Sequence, residues 1–176
     1  ALVVFALRER LDSRRQGWLL AAGMAVICGL LLLRVPDVTT QGALSFRLEW
    51  MPQIGLNLSF YLDGLALLFA VLVSGIAVAV MFYGGYYFED SRQSGAFFGL
   101  MMAFTGSMLA LVMAGNLLTL FIAWEGTSVV SFLLIGFKGK DAEARRGASQ
   151  ALLVTAGGGL ALLVGLLLVG SVTGSL

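Results

Sequence analysis

The chain is written in long apolar blocks separated by short polar stretches. One block occupies 18–33 and is closed by Arg34; taken slightly wider it gives a span over 17–35. Asp63-Gly64 opens a second run that reaches Tyr83, with Gly84-Gly85 after it. Residues 96–114, 116–137 and 147–170 complete the set. Each block approaches the ~20 residues a helix needs to cross the hydrocarbon core of a bilayer. Gly115-Asn116 leaves almost no linker, so the spans 96–114 and 116–137 form an antiparallel helical hairpin. Residues 1–7 are an apolar stub too short to span. Arg8 and Arg10 follow the stub, whereas a signal peptide carries its basic residues first. The stub therefore reads as a truncated helix, the charged stretch 8–16 as a loop, and the end at 171–176 as an unfinished loop.

Residues 36–61 follow a different rhythm. Phe46, Leu48 and Trp50 alternate with Ser45, Arg47 and Glu49; Leu56, Leu58 and Phe60 alternate with Asn57, Ser59 and Tyr61. Met-Pro-Gln-Ile-Gly lies between them. Period-two alternation around a Pro/Gly turn predicts a β-hairpin over about 44–62. Open sheet edges do not lie in lipid, so the hairpin belongs at the ends of the helices, outside the hydrocarbon.

Charge fixes a direction. With the loop 8–16 on the cytoplasmic side, that side holds Arg8, Arg10, Arg14, Arg15, Arg92, Lys138, Lys140, Arg145 and Arg146. The other side holds Arg34 and Arg47. The positive-inside bias places the hairpin on the non-cytoplasmic face. The expected fold is all-α and integral to the membrane: a polytopic transmembrane helix bundle with a small non-cytoplasmic β-hairpin, in the cell inner (plasma) membrane.

Composition agrees. Only 12% of the 176 residues are charged, against about 25% in an average soluble domain, while 59% are hydrophobic. A net charge of +1 argues against nucleic acid as a partner. Histidine is absent and Cys28 is alone in an apolar run, which removes disulfides, the usual zinc sites and Cys/His catalysis. No phosphate loop, metal-ligand cluster or nucleophile–base pair is present. The expectation is a transporter rather than an enzyme, with no cofactor and no metal. Small residues four apart (Ala21, Ala25, Gly29; Gly75, Ala79; Gly99, Ala103, Ser107; Gly157, Ala161, Gly165) predict close helix–helix packing. The run Gly157-Gly158-Gly159 marks either close packing or a local distortion.

One acid stands out. Glu125 lies about nine residues into its span, roughly 13 Å along a helix axis. An ionisable group costs roughly 2.5–3.5 kcal/mol at the centre of a membrane helix on insertion scales. A carboxyl held between desolvation and a neighbouring cation can load and release a proton near neutral pH. Gly126 leaves space for a close neighbour, and Thr127, Ser128 and Ser131 continue a polar stripe. The competing reading makes Glu125 a protonated hydrogen-bonding glue between helices. Asp63 caps its helix or serves ion entry and exit; Asn116 is a cap. Lys138, Lys140, Arg145 and Arg146 are anchors. Thr105 and Ser107 are expected as interhelical contacts; Gln150 and Thr155 are modestly polar positions, either of which could hydrogen-bond across helices.

The run Phe98-Gly-Leu-Met-Met-Ala-Phe-Thr-Gly-Ser-Met-Leu-Ala-Leu-Val, then Asn116-Leu-Leu-Thr-Leu-Phe, then Trp124-Glu-Gly-Thr-Ser-Val-Val-Ser-Phe-Leu-Leu-Ile-Gly-Phe137, resembles the N-terminal part of the antiporter-like membrane subunits. These include the A subunit of Mrp-type multisubunit Na⁺/H⁺ antiporters and the distal antiporter-like subunits of respiratory complex I. Tyr61-Leu-Asp63-Gly64-Leu resembles the entry of their third helix, and Arg145-Arg-Gly-Ala-Ser-Gln-Ala-Leu-Leu-Val-Thr155 is nearest the Mrp A subunit. The resemblance implies a proton/cation-translocating subunit in which the acid matching Glu125, on the fifth helix, pairs with a lysine on the seventh. That lysine is not in this chain. Relatives often carry an ionisable residue near the sixth helix, where this chain has only Gln150, Thr155 and glycines. The implied partners are other membrane subunits, protons, monovalent cations and the lipid bilayer. Two alternatives stand beside it: a proton-pumping subunit of a complex I-like oxidoreductase or membrane-bound hydrogenase, and a non-transporting structural subunit.

Overall fold

The structure, a computed structural model, describes residues 12–51, 56–88, 91–137 and 142–173. In chain order they form α1 (Ser13–Leu32), α2 (Val35–Gln41), β1 (Ala43–Met51), β2 (Leu56–Asp63), α3 (Gly64–Tyr87), α4 (Ser91–Val112), α5 (Leu117–Ile135) and α6 (Ala142–Thr173). Five helices, α1 and α3 to α6, are long and apolar enough to cross a membrane. From α3 onward each long helix packs on the next, and α1 packs on α3. Strands β1 and β2 pair antiparallel, with Phe46 opposite Phe60 and Arg47 opposite Ser59. The fold is the helical membrane bundle with a hairpin that the sequence pattern predicts. The stub 1–7, residues 8–11, the hairpin turn 52–55, Glu89, Asp90, Lys138, Lys140 and residues 174–176 lie outside the described residues.

Several helices reach beyond their apolar blocks, and packing explains most of it. Helix α1 begins at Ser13, ahead of the apolar run, because Ser13, Gln16 and Gly17 are buried. The Ser94 hydroxyl of α4 meets Gln16 Oε1 at 3.4 Å. Helix α3 continues through Gly84-Gly85 to Tyr87 instead of stopping before them. Helices α4 and α6 take in polar first turns from Ser91 and Ala142. Residues 35–41, ahead of the alternating stretch, form a short helix. Pro36 stands in the first turn of α2, where its missing N–H costs nothing. Gly42, at φ +83°, stops that helix and turns the chain into β1, a conformation that favours glycine.

The tightest crossing is between α1 and α3. A Cβ on Gly17 would lie 2.7 Å from Gly85 Cα and 2.9 Å from the Met81 carbonyl oxygen. The seam continues through Ala21 and Met24 on α1, and through Ala70, Ser74, Ala77 and Met81 on α3, all buried. Ser74 turns its hydroxyl back onto the Ala70 carbonyl at 2.8 Å, so this buried hydroxyl is paired. Phe98 of α4 closes the core beneath Gly84. This seam differs from the predicted ladders. Ala21 is buried, but Ala25 and Ala79 are exposed, and among the described residues Gly29, Gly75, Gly99, Gly157 and Gly165 have no atom beyond their own helix backbone within 4 Å of where a Cβ would stand. Helix α6 runs unbroken through its three glycines.

At the hairpin end, β2 has a second partner. Its backbone joins the turn between α4 and α5: Tyr61 N–H donates to Met113 O (2.7 Å), and Gly115 N–H donates to Ser59 O (2.8 Å). Ser59 N–H donates to Thr119 Oγ1 (2.9 Å), and Asn116 Nδ2 donates to Asn57 O (2.6 Å). Both edges of β2 are thus occupied. Gly115 fits tightly there: a Cβ would come within 2.6 Å of Ser59 Oγ and 3.2 Å of the Ser59 and Phe60 carbonyl carbons. Asn116 also caps α5 by accepting from Thr119 N–H at 2.8 Å. Asn116→Ala is expected to lower stability by about 1–2 kcal/mol through the lost cap. Asn116→Asp, which keeps the acceptor and loses the donor, should cost less. Thermal unfolding in detergent separates the two.

At the opposite end, Phe88, Phe97 and Phe137 meet at ring-centroid distances of 4.9–5.9 Å and join the ends of α3, α4 and α5. Trp18 Nε1 donates to the Tyr86 hydroxyl at 3.2 Å, and the Arg14 guanidinium lies over the Tyr86 ring. Amphipathic rings beside a cation suit the level of lipid headgroups.

Candidate functional site

Glu125 stands in the third turn of α5, on the side that faces α6. Asn116 fixes the start of α5, and the acid follows roughly 13 Å along the axis. The two helices register through small residues. A Cβ on Gly136 would lie 3.5 Å from Ala148 Cβ, and Ala148 is buried. Roughly 16 Å away, at 1.5 Å per residue, the same helix pair brings Gly159 to Glu125. The carboxyl group rests on the bare Cα of Gly159. A Cβ added there would overlap Glu125 Oε1 and stand 3.1 Å from Cδ and 3.6 Å from Oε2. Oε1 is buried, and no donor among the described residues reaches it. Leaving a buried polar atom unsatisfied costs about 1–3 kcal/mol, and more for a charged group. The partner for this oxygen therefore has to come from outside the described residues.

On its other side α5 is notched by Gly126. A Cβ there would lie 2.8 Å from Ser107 Oγ, so Ser107 of α4 fills the space beside the acid. Ser107 is thus an interhelical contact and the close neighbour for which Gly126 leaves room. Thr127 and Ser128 follow the acid, but each hydroxyl donates to the Trp124 carbonyl, at 2.7 and 3.2 Å. The helix's own carbonyls three and four residues back are the nearest acceptors, and they take these hydroxyls. Ser131, a turn further on, is half-buried. Asp63 is at the hairpin end, where its carboxylate caps α3 by accepting from Ala66 N–H at 2.8 Å. It is not gathered with Glu125. Thr155 likewise donates to its own helix, to Ala151 O at 2.8 Å. Thr105 is buried in α4. Among the described residues no three His, Cys, Asp or Glu side chains come together in a way that could hold a metal ion.

Gly159 is the residue that the sequence pattern does not assign to the site. The triplet 157–159 signals close packing or a distortion, and the structure distinguishes its members. Gly157 and Gly158 face open space, while Gly159 is buried against the acid.

Two family models match the chain. One is described as "NADH:quinone oxidoreductase/Mrp antiporter, TM" and covers residues 114–176. The other is described as "NADH-Ubiquinone oxidoreductase (complex I), chain 5 N-terminus" and covers residues 50–98. The chain is 44% identical over 156 residues, 88% of its length, to the A/B subunit of a probable K⁺/H⁺ antiporter of Rhizobium meliloti (strain 1021), and spans 16% of that protein. It is 36% identical over 168 residues, 96% of its length, to the A1 subunit of a Na⁺/H⁺ antiporter of Staphylococcus aureus, and spans 21% of it. Its fold superposes on a chain of the Mrp complex from Dietzia sp. DQ12-45-1b with a TM-score of 0.82 and 37% identity, over 96% of this chain and 18% of that one. The chain thus spans about a fifth of these relatives. Across that fifth, fold, motif and sequence agree, and the chain belongs to the family of antiporter-like membrane subunits shared by Mrp antiporters and respiratory complex I.

Proposed function

We propose that the chain is the N-terminal part of the A-type subunit of a multisubunit monovalent cation/proton antiporter in the plasma membrane, with Glu125 as its protonatable translocation site. The observation that carries the role of Glu125 is its Oε1: buried mid-span, with no donor among the described residues. An acid used only as glue would find its hydrogen bond within the bundle it glues. Glu125 instead rests on a glycine backbone, with none of the described residues holding its Oε1. The lysine that the family resemblance implies would supply that partner from a later helix of the full subunit. The similarity to proteins named as K⁺/H⁺ and Na⁺/H⁺ antiporter subunits supports the transport class and leaves either monovalent ion as cargo. The positive-inside bias puts the Arg14 end in the cytoplasm and the hairpin outside. The test is Glu125→Gln in the full-length complex, read as ΔpH-dependent cation exchange in everted vesicles. Exchange at the wild-type rate overturns the assignment.

The complex I model matched at residues 50–98 favours a second reading, a proton-pumping subunit of a redox-driven complex. Vesicles that move protons only while a quinone is being reduced would select it.

A further inference from the structure

We infer that Gly159 is a positioning residue for Glu125: the missing side chain at this one turn of α6 sets where the acid's carboxyl group stands. The inference rests on the reading of Glu125 as the translocation site. Three observations carry it. Glu125 Oε1, Cδ and Oε2 all lie within 4 Å of the Cβ position of Gly159, and Oε1 overlaps it. Gly157 and Gly158, its immediate neighbours, have nothing within 4 Å. Gly159 is buried, while Gly157, Gly158 and Leu160 are exposed.

The contact is of an unusual kind. The N–H of Gly159 belongs to an unbroken helix, so it is engaged within α6 and is not offered to the acid. What Gly159 offers is room, together with at most a weak Cα–H···O contact. Among the described residues the carboxyl is therefore located by shape and not held by a strong donor. That is what a group must have if it is to exchange one proton or cation partner for another without first breaking a fixed bond.

The same geometry says how a substitution acts. Alanine is a better helix former than glycine, so Gly159→Ala does not weaken α6. The added methyl collides with the far end of a flexible side chain, and the cheapest response is rotation of Glu125 away from α6. The helices stay and the acid moves. Misplacing a reacting group by about 1 Å can cost on the order of 100-fold in rate.

The experiment uses the full-length complex in everted vesicles. Gly159→Ala is expected to lower ΔpH-driven exchange on the order of 10- to 100-fold, while Gly158→Ala stays near wild type. Aspartate at position 125 withdraws the carboxyl by one methylene, out of the methyl's way. Glu125→Asp should then be less harmful in the Gly159→Ala background than in the wild-type background. If Gly159→Ala depletes the assembled complex, the same pair of substitutions is compared on complex yield, with the same expected rescue. Wild-type exchange in Gly159→Ala, an equal loss in Gly158→Ala, or losses in the double variant that simply multiply would each overturn the inference. These outcomes are separate from failure of the underlying reading, which is an active Glu125→Gln complex.

Discussion

Replacing Glu125 with glutamine should abolish ΔpH-dependent exchange while leaving the complex assembled. Glutamine has the shape and reach of glutamate. It can lie on Gly159 as the acid does and leaves the Gly126–Ser107 notch untouched. It loses only the ability to take up and release a proton. Groups that transfer protons in a rate-determining step are worth on the order of 100- to 10,000-fold, so a loss of at least the lower size is expected. Aspartate keeps the proton chemistry but draws it back, and an intermediate rate should result. Alanine removes both the chemistry and the filling between α5 and α6. The glue alternative makes the opposite forecast: glutamine, which can still hydrogen-bond, would be silent, and alanine would prevent assembly. Exchange assays in vesicles from a host without competing antiporters, paired with native gels for assembly, decide between them.

The largest structural effect is expected at Gly17. A Cβ there meets Gly85 Cα at 2.7 Å and the Met81 carbonyl at 2.9 Å, and both are backbone. No rotamer change relieves such a collision; α1 and α3 have to part. The reciprocal position is more tolerant, because a Cβ on Gly85 lies 3.2 Å from Gly17 Cα and 3.4 Å from Arg14 atoms. Gly17→Val should therefore cost about 1–3 kcal/mol or more by overpacking, while Gly85→Ala costs clearly less. A lowered apparent Tm for Gly17→Val, with a clearly smaller drop for Gly85→Ala, is the expected reading. Trp18, adjacent to Gly17 and bonded to Tyr86 across the same crossing, supplies a fluorescence signal for the separation. An unchanged Tm in Gly17→Val would contradict the crossing.

Much of the fold is legible in the chain because the bilayer simplifies the problem. Length and apolarity pick out the spans, and the alternation at Phe46, Leu48, Leu58 and Phe60 picks out strands against that background. The faces of the helices are much less legible. In a soluble helix, polar residues mark the outside. Here Gly75 and Ala79 are as small and apolar as Ala70 and Ala77, yet only the second pair is buried. With lipid as solvent, a small residue toward lipid and one toward a neighbouring helix look alike. The acid is legible because charge is rare at that depth. Its surroundings are not. Thr127 and Ser128 read as companions of Glu125 by sequence distance, but a helix presents its own carbonyls to them first. Gly159 is 34 residues away on another helix, and only the depth at which α5 and α6 cross reveals it.

The attachment of β2 to the turn before α5 has a mechanical consequence. Asn57, Ser59 and Tyr61 hold Met113, Gly115, Asn116 and Thr119 through hydrogen bonds shared between backbone and side chains. Helix α5 is thereby fixed at one end like a rod in a mount. Sliding along its own axis would tear several of these bonds at once, whereas swinging about Asn116 strains few of them. Under the transport role proposed above, a displacement of α5 would be a pivot, with its lever arm measured from the hairpin end. On such a pivot Glu125, roughly 13 Å down that arm, would move sideways and keep its depth in the membrane.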